Sequence, residues 1–232
     1  MKIPLLHSWN LSPRKAVALQ RQLAQQVIRE GNPLGVAFVA GVDVGFVGDR
    51  ARAAVAVLSL QSLELVDHAV AERSVSFPYV PGLLSFREIP AVLEALGRVD
   101  VRPEILLCDG QGIAHPRRFG LASHLGLLTN IPSIGIAKSR LAGEHGAVPV
   151  HKGGWAALTD DGEVIGAALR TRTGVAPVYV SIGHRIDLDN AIRLVLACTT
   201  RYRLPETTRW AHRLASGLPS PRRTSPKALR RP

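Results

Sequence analysis

The sequence predicts an α/β protein with a mixed central sheet, an antiparallel meander plus parallel strands, flanked by helices on both faces. Two features of element order carry that prediction. Three strand-like runs, 36–46, 52–60 and 63–75, follow one another across short polar breaks, as an antiparallel meander requires. Later the order becomes strand (104–110), helix (117–128), strand (132–139), which implies parallel pairing through a right-handed crossover. A meander followed by α/β units gives a mixed sheet with helices on both sides. The 232 residues are 46% hydrophobic, enough for a real core, and no linker divides the body, so 1–216 reads as a single domain.

Each element has its own signal. Ser12 is an N-cap and Pro13 fills the first turn of a helix whose apolar face is Val17, Leu19, Leu23, Val27 and Ile28. VAFVAGVDVGF, RAAVAVLSL and LELVDHAVAERSV are the meander strands, and a helix over about 85–97 follows. EILLCDG and PSIGIAKS are apolar runs of buried-strand character on either side of the helix RRFGLASHLGLL. WAALTD, EVIGAALR and PVYVSIG return to strand character within 155–183, and helices over 188–198 and 205–215 close the body.

Charge narrows the partners. Lys and Arg number 29 against 18 Asp and Glu, a formal net charge of +11. Such an excess favours an anionic partner, with nucleic acid ahead of a membrane surface, against the alternative of a merely basic protein. Residues 217–232, GLPSPRRTSPKALRRP, hold five basic residues, four prolines and no acid, so they read as a disordered basic tail, either a source of phosphate contacts or an inert end. The body stays basic without it. Cys108 and Cys198 are too few for a disulfide framework or zinc site, the N-terminus lacks a signal-peptide stretch, and no run nears the ~20 residues of a membrane helix. A reducing cytoplasm is the expected setting, and a monomer the expected state, since no separate hydrophobic stripe is left over.

Five features could carry chemistry. Asp43 interrupts an apolar strand with Gly41 and Gly45 on its own face, which leaves open space suited to a hydrated metal or a phosphate; a structural aspartate bonded to a loop is the competing reading. Asp109 ends the strand ILLCD before Gly-Gln-Gly, at the carboxyl edge where open α/β sheets bind ligands, as a metal ligand or as a helix cap. His115, Arg117 and Arg118 follow at a helix start and could contact phosphate, and His124 reads as a satisfied core residue. Lys138 ends GIAKS, either beside Asp109 or facing solvent. The fifth feature is FPYVPG (77–82), whose prolines fix φ and extend their neighbours, so a stiff loop either packs Tyr79 into the core or holds it out.

Six segments in register closely resemble the endonuclease V family of inosine-directed nucleases: GVDVGF (41–46), FPYVPGLLSFRE (77–88), LLCDGQGIAHPRRFGLASHLG (106–126), IGIAKSRLAG (134–143), SIGHRIDLDNAI (181–192) and RLPETTRWAH (203–212). The resemblance runs from about residue 10 to residue 215. It implies a ribonuclease H-like fold and a DNA repair enzyme, a Mg²⁺-dependent endodeoxyribonuclease with Mn²⁺ as substitute. Such an enzyme hydrolyses the second phosphodiester bond 3′ to deoxyinosine in DNA and leaves a 3′-hydroxyl and a 5′-phosphate. Some members prefer inosine in RNA. Competing readings are a metal nuclease of the same fold without inosine preference, and a non-catalytic nucleic-acid binder.

The resemblance also implies residue roles. Asp43 and Asp109 ligate the metal, Glu88 in SFREIP holds or orients water there, and Lys138 neutralises the scissile phosphate or orients the nucleophile. His212 in TRWAH completes the site, at a position that carries a carboxylate in some relatives. The base, flipped from the stack, enters a pocket of backbone groups around Gly82, Leu84 and Gly110 with Gly135 near its floor. Pro78, Tyr79, Val80 and Pro81 become a rigid wedge that stacks where the base has left a gap.

Overall fold

Three parallel-neighbour strands at the centre of one sheet, widened on both sides by antiparallel hairpins, organise the protein. The computed structural model describes residues 6–219. In chain order the elements are α1 (Pro13–Ala24), β1 (Phe38–Val47), β2 (Arg50–Ser59), β3 (Leu65–Ser74), α2 (Ser85–Gly97), β4 (Ile105–Asp109), α3 (Leu121–Thr129), β5 (Ser133–Ala137), β6 (Trp155–Asp160), β7 (Glu163–Leu169), β8 (Val178–His184), α4 (Leu188–Ala197) and α5 (Glu206–Ala215). Among the described residues eight strands join in the order β3-β2-β1-β4-β5-β8-β7-β6. Only β1 with β4 and β4 with β5 run parallel; β1, β2 and β3 pair antiparallel, as expected of a meander, and β8, β7 and β6 extend the other edge antiparallel, a pairing the sequence did not specify.

Alternation along β1 divides the core. Val39 belongs to the side covered by α4 and α5, with Leu107, Ile134, Ile136, Val195, Ala211 and Leu214. Ala40 and Val42 face the other side, against Ile89 and Val92 of α2 and Leu125 of α3. A smaller cluster joins Ala16 of α1 to Phe77, Leu83 and Phe86, and so fastens α1 beneath the proline loop. Both cysteines are buried and free. No described helix is long and apolar enough to cross a membrane.

Two helices are shorter than their sequence patterns. α1 stops at Ala24, and Gln26 and Val27 fold back to Leu23 and Ala24 in tight turns; Ile28 then donates its N–H to His184 Nδ1 at 3.3 Å, so Ile28 belongs to a connection along the end of β8. The buried positions of α1 are Ala16, Gln20 and Leu23. α3 begins at Leu121, not 117, because Arg118 takes φ +54° and breaks any helical run through Arg117 to Gly120. Of the expected tail, 220–232 lies outside the described residues.

The space foreseen beside Gly41 and Gly45 is filled. A Cβ on Gly41 would lie 1.9 Å from the carbonyl oxygen of Thr207, and one on Gly45 would lie 3.0 Å from that of Ala215. The two glycines therefore admit the backbone of α5 onto β1. Gly41→Ala should lower stability by about 3 kcal/mol, a fall in Tm of about 6 to 12 °C for a chain of this length. Gly97→Ala, at a site with nothing within 4 Å, should leave Tm unchanged or slightly raised. Equal melting temperatures for the two variants in a thermal denaturation scan would contradict the close approach.

Candidate active site

The β1/β4 register pairs Gly41 with Leu107 and Val42 with Cys108, so the next step along both parallel strands sets Asp43 beside Asp109 on one face. α5, pressed onto that face, brings His212, whose Nδ1 donates to Asp43 Oδ2 at 2.8 Å. Asp43 Oδ1 accepts the Val44 N–H at 2.8 Å. One oxygen or nitrogen from each of Asp43, Asp109 and His212 lies within 4.8 Å of the others. Asp43 is 9% exposed, so this carboxylate stands at the bottom of the site.

Two further groups meet the cluster. Glu88, in the first turn of α2, is buried; burial pushes its carboxyl well above the usual range, and the charges of Asp43 and Asp109 push it further. Lys138 lies just past β5 and donates Nζ–H to Asp109 Oδ2 at 2.6 Å, the arrangement expected from strand order. Burial raises the Asp109 carboxyl, the Lys138 bond opposes that, and Asp43 adds to it. Three mutually repelling carboxylates with one ammonium, bonded to Asp109, are a crowding that a divalent cation relieves. The donors present, two or three carboxylates with one imidazole, fit an oxygen-preferring cation that retains water. They do not form a closed zinc set.

Beside the cluster opens a cavity of about 400 Å³, with Asp109 and Lys138 on its wall. The proline loop supplies Tyr79, Val80, Pro81 and Gly82, and Leu84 and Gly110 complete the part expected to meet a base. Tyr79 is 72% exposed, held out from the core, with the Arg87 guanidinium 5.8 Å from its ring centroid. Gly135, expected near the pocket floor, does not line the cavity: a Cβ there would fall 2.3 Å from the Gly112 nitrogen and 2.8 Å from the Gly110 oxygen, so its bareness lets the 110–112 turn settle onto β5.

His115 and Arg117 are engaged within the protein, at the loop. The carbonyl of Gly82 accepts from Gln20 Nε2 at 2.9 Å, His115 Nε2 at 3.0 Å and Arg117 Nη2 at 2.7 Å. His115 Nδ1 accepts the Arg117 N–H at 3.1 Å, which fixes the neutral tautomer with the proton on Nε2. Burial, with Arg117 adding, pulls the His115 pKa down to about 4. Arg118 points elsewhere, to Asp160 at 2.8 Å and Glu163 at 2.6 Å. The amides of Gly120 and Ala122 at the start of α3 bond back to the Gly112 and Gln111 carbonyls, so they form no open cradle.

His124 is the satisfied core residue its sequence context suggests. His7 Nδ1–H reaches the Ser8 carbonyl at 2.9 Å, so His7 Nε2 accepts from His124 Nε2–H at 2.8 Å, and His124 Nδ1 accepts the Ser85 hydroxyl at 3.1 Å. The chain of bonds fixes Ser85 at the start of the helix that carries Glu88. Sequence reasoning did not single out Gln20 or Arg203. Gln20 is a polar residue on the buried stripe of α1, and that misfit was its available signal. Arg203 donates to the Lys138 carbonyl at 2.8 Å and to that of Pro177 at 2.7 Å.

Comparison with known proteins adds an independent line. The Endonuclease V family model matches residues 21–213. Endonuclease V of Roseiflexus sp. is 58% identical over 208 residues, covering 90% of this chain and 94% of its own. The crystal structure of Endonuclease V from Streptomyces avermitilis is 46% identical, covers 94% of this chain and 97% of its own, and superposes with a TM-score of 0.87. Ciona intestinalis Endonuclease V, solved in complex with a 24mer DNA containing an inosine followed by a ribo-adenosine, is 27% identical with a TM-score of 0.75 and covers 88% of this chain and 96% of its own.

The neutral His115 has a pH signature. Its folded pKa lies below the ordinary value of about 6.5, so the unfolded chain binds the proton first as pH falls. Its contribution is complete above about pH 6.5 and is lost towards pH 4, up to about 3 kcal/mol. Buried Glu88 acts in the opposite sense, so the readout is the difference between wild type and His115→Gln. In urea unfolding the gap between them should narrow from pH 7 to pH 4.5; parallel curves would remove the loop anchor from the pH response.

Proposed function

The chain belongs to the endonuclease V family, and from that membership and the geometry of its site we propose that it is a DNA repair endonuclease directed at deoxyinosine. It hydrolyses the second phosphodiester bond on the 3′ side of the lesion, leaving a 3′-hydroxyl and a 5′-phosphate, with inosine-containing RNA as a further substrate. Residues 1–216 act as a single catalytic unit, a monomer in the cytoplasm. The observation that carries this reading is the convergence of Asp43, Asp109 and His212 within 4.8 Å beside a cavity walled by the proline loop.

Asp43, Asp109 and Glu88 would hold Mg²⁺, or Mn²⁺ in its place, with His212 completing the set. When bound, such a cation activates water and neutralises charge on the phosphorus in the transition state. His212 steadies Asp43 through its 2.8 Å bond, and the Val44 N–H fixes the other oxygen of the same carboxylate. Lys138 orients Asp109 and adds positive charge where a scissile phosphate would lie. Buried Glu88, beside Asp43 and Asp109, would add a third carboxylate that holds or orients the water of that cation.

Base selection falls to the cavity. Hypoxanthine differs from adenine at the 6-oxo position and from guanine by lacking the 2-amino group, and both edges are legible only on an extruded base. Backbone near Gly82, Leu84 and Gly110 can approach that base closely, and a pocket without room for a 2-amino group rejects guanine by contact. Tyr79, exposed on a loop whose prolines limit its ordering entropy, stacks into the gap left in the duplex. Gln20, His115 and Arg117 serve this step through Gly82, where the same carbonyl receives all three donors.

With Mg²⁺, the protein should nick an inosine-containing duplex one nucleotide beyond the lesion on its 3′ side and leave an inosine-free duplex intact. Equal cutting of both would favour a general metal nuclease. Asp43→Ala and Asp109→Ala should each reduce cleavage at least about a hundredfold while inosine-DNA binding in Ca²⁺ persists. Tyr79→Ala should lower the preference for inosine over normal DNA about tenfold with little change in the Mg²⁺ concentration for half-maximal rate. Unchanged discrimination in competition cleavage would free Tyr79 from that role.

A further inference from the structure

A second cavity, of about 460 Å³, reaches the carboxylate cluster at His212. The base cavity has Asp109 and Lys138 on its wall, and this one has His212. Both hollows therefore border the cluster, the first through Asp109 and the second through His212. The wall of the second is mostly one face of α5: Arg209, His212, Arg213 and Ser216 recur at helical spacing, so the stripe that begins at the cluster continues outward as a basic surface.

The side chains on that surface have the character of a single-strand site. Arg213 lies 5.6 Å from the ring centroid of Trp210, and both line the cavity. Among the described residues no ion pair engages Arg213. Arg209 lies flat over Tyr202, its Cζ 3.4 Å from the ring centroid, and bonds Glu206 at 2.6 Å. Glu206 is the one carboxylate on the wall, and it is already paired. Aromatic rings alternating with arginines bind nucleic acid by stacking and by phosphate contact, with little demand on sequence.

We propose that this cavity seats the strand on the 3′ side of the broken bond, with its phosphates on Arg213 and its first bases against Trp210. The polarity rests on the function proposed above. A base held in the first cavity, with cleavage at the second bond on its 3′ side, sends the chain across the cluster and out past His212. The segment held there carries the new 5′-phosphate, so the surface also retains the product end of the nick.

The test uses single-turnover cleavage by the full chain in Mg²⁺ of two series of inosine strands. One varies the length 3′ of inosine from about 3 to about 12 nucleotides, the span of common single-strand sites; the other varies the 5′ length over the same range. Wild-type efficiency should rise with 3′ length. Arg213→Ala should remove about five- to tenfold of that rise through the enzyme concentration needed for half-maximal rate, while leaving the maximal single-turnover rate and the shortest 3′ strand unaffected. Trp210→Phe, which keeps the packing of a half-buried ring, should retain most of the length dependence. An equal loss on every strand, a dependence on 5′ length only, or no effect of Arg213→Ala would overturn the assignment. Fluorescence anisotropy on the same strands without metal separates the two readings. If wild type cuts nothing, the enzymatic reading fails, and the surface then stands or falls on whether Arg213→Ala abolishes the 3′-length dependence of binding.

Discussion

The contact on which the site depends is backbone against backbone, between β1 and α5. Gly41 has no Cβ, and the Thr207 carbonyl occupies the volume one would need. Because α5 lies that close, His212 reaches Asp43 with a 2.8 Å bond. A helix resting on ordinary side chains would stand further from the sheet. The apolar floor under the helix, Ala211, Leu214 and Ala215 against Val39, Ala54 and Leu107, holds it there. Packing energy on one face of the sheet is thus converted into the position of one imidazole.

A second constraint governs the proline loop. Prolines stiffen it internally but do not aim it, since a rigid segment can still swing on its ends. Aim comes from the Gly82 carbonyl, which receives an amide, an imidazole and a guanidinium. These donors arrive from α1 and from the turn after β4, so the loop is referenced to the same strand that carries Asp109. Keeping His115 neutral belongs to this design. An imidazolium beside Arg117 in a buried setting would be repelled, and its Nδ1 could no longer accept the Arg117 N–H. Phe77, Leu83 and Phe86 then anchor the loop from below, which leaves Tyr79 free to face solvent.

Much of this was legible in the residues, and the limits follow from physics. Three successive strand-like runs with short polar breaks pointed to the meander, and apolar strands around α3 to the parallel pair, because burial leaves a direct trace in composition. Asp43 and Asp109 stood out as charges in otherwise apolar strands. The resemblance to a known family, rather than spacing, linked them to Glu88 and His212, since register and helix placement are long-range. Local pattern misjudged two helix ends: α1 stopped before Val27 and Ile28, and α3 waited until Leu121 because Arg118 adopts a left-handed φ that no periodicity reveals. His115, Arg117 and Arg118 look like phosphate ligands from composition alone. Their carbonyl and carboxylate partners, Gly82, Asp160 and Glu163, lie 33 to 45 residues away in sequence. The open space read beside Gly41 was the converse error, because a bare glycine in sequence does not say whether solvent or a helix backbone will fill the gap.

The convergence of Asp43, Glu88 and Asp109 would be unstable as three bare charges, and each group is placed so that the conflict is contained without being removed. Lys138 answers Asp109, His212 answers Asp43, and burial keeps Glu88 able to hold a proton. Apolar replacements would relieve the repulsion and stabilise the fold, as replacement of buried charge commonly does. The sequence instead retains all three acids on well-fixed elements, with glycines at Gly41 and Gly135 that make those elements fit. Local repulsion held in place by good packing elsewhere is what a site needs if its charge is to be completed by a cation and a phosphate. The same reasoning accounts for the asymmetry around the cluster. Its carboxylates sit deep, while the arginines and rings stand outward on α5 and on the loop, where a polyanion can reach them before it reaches the acids.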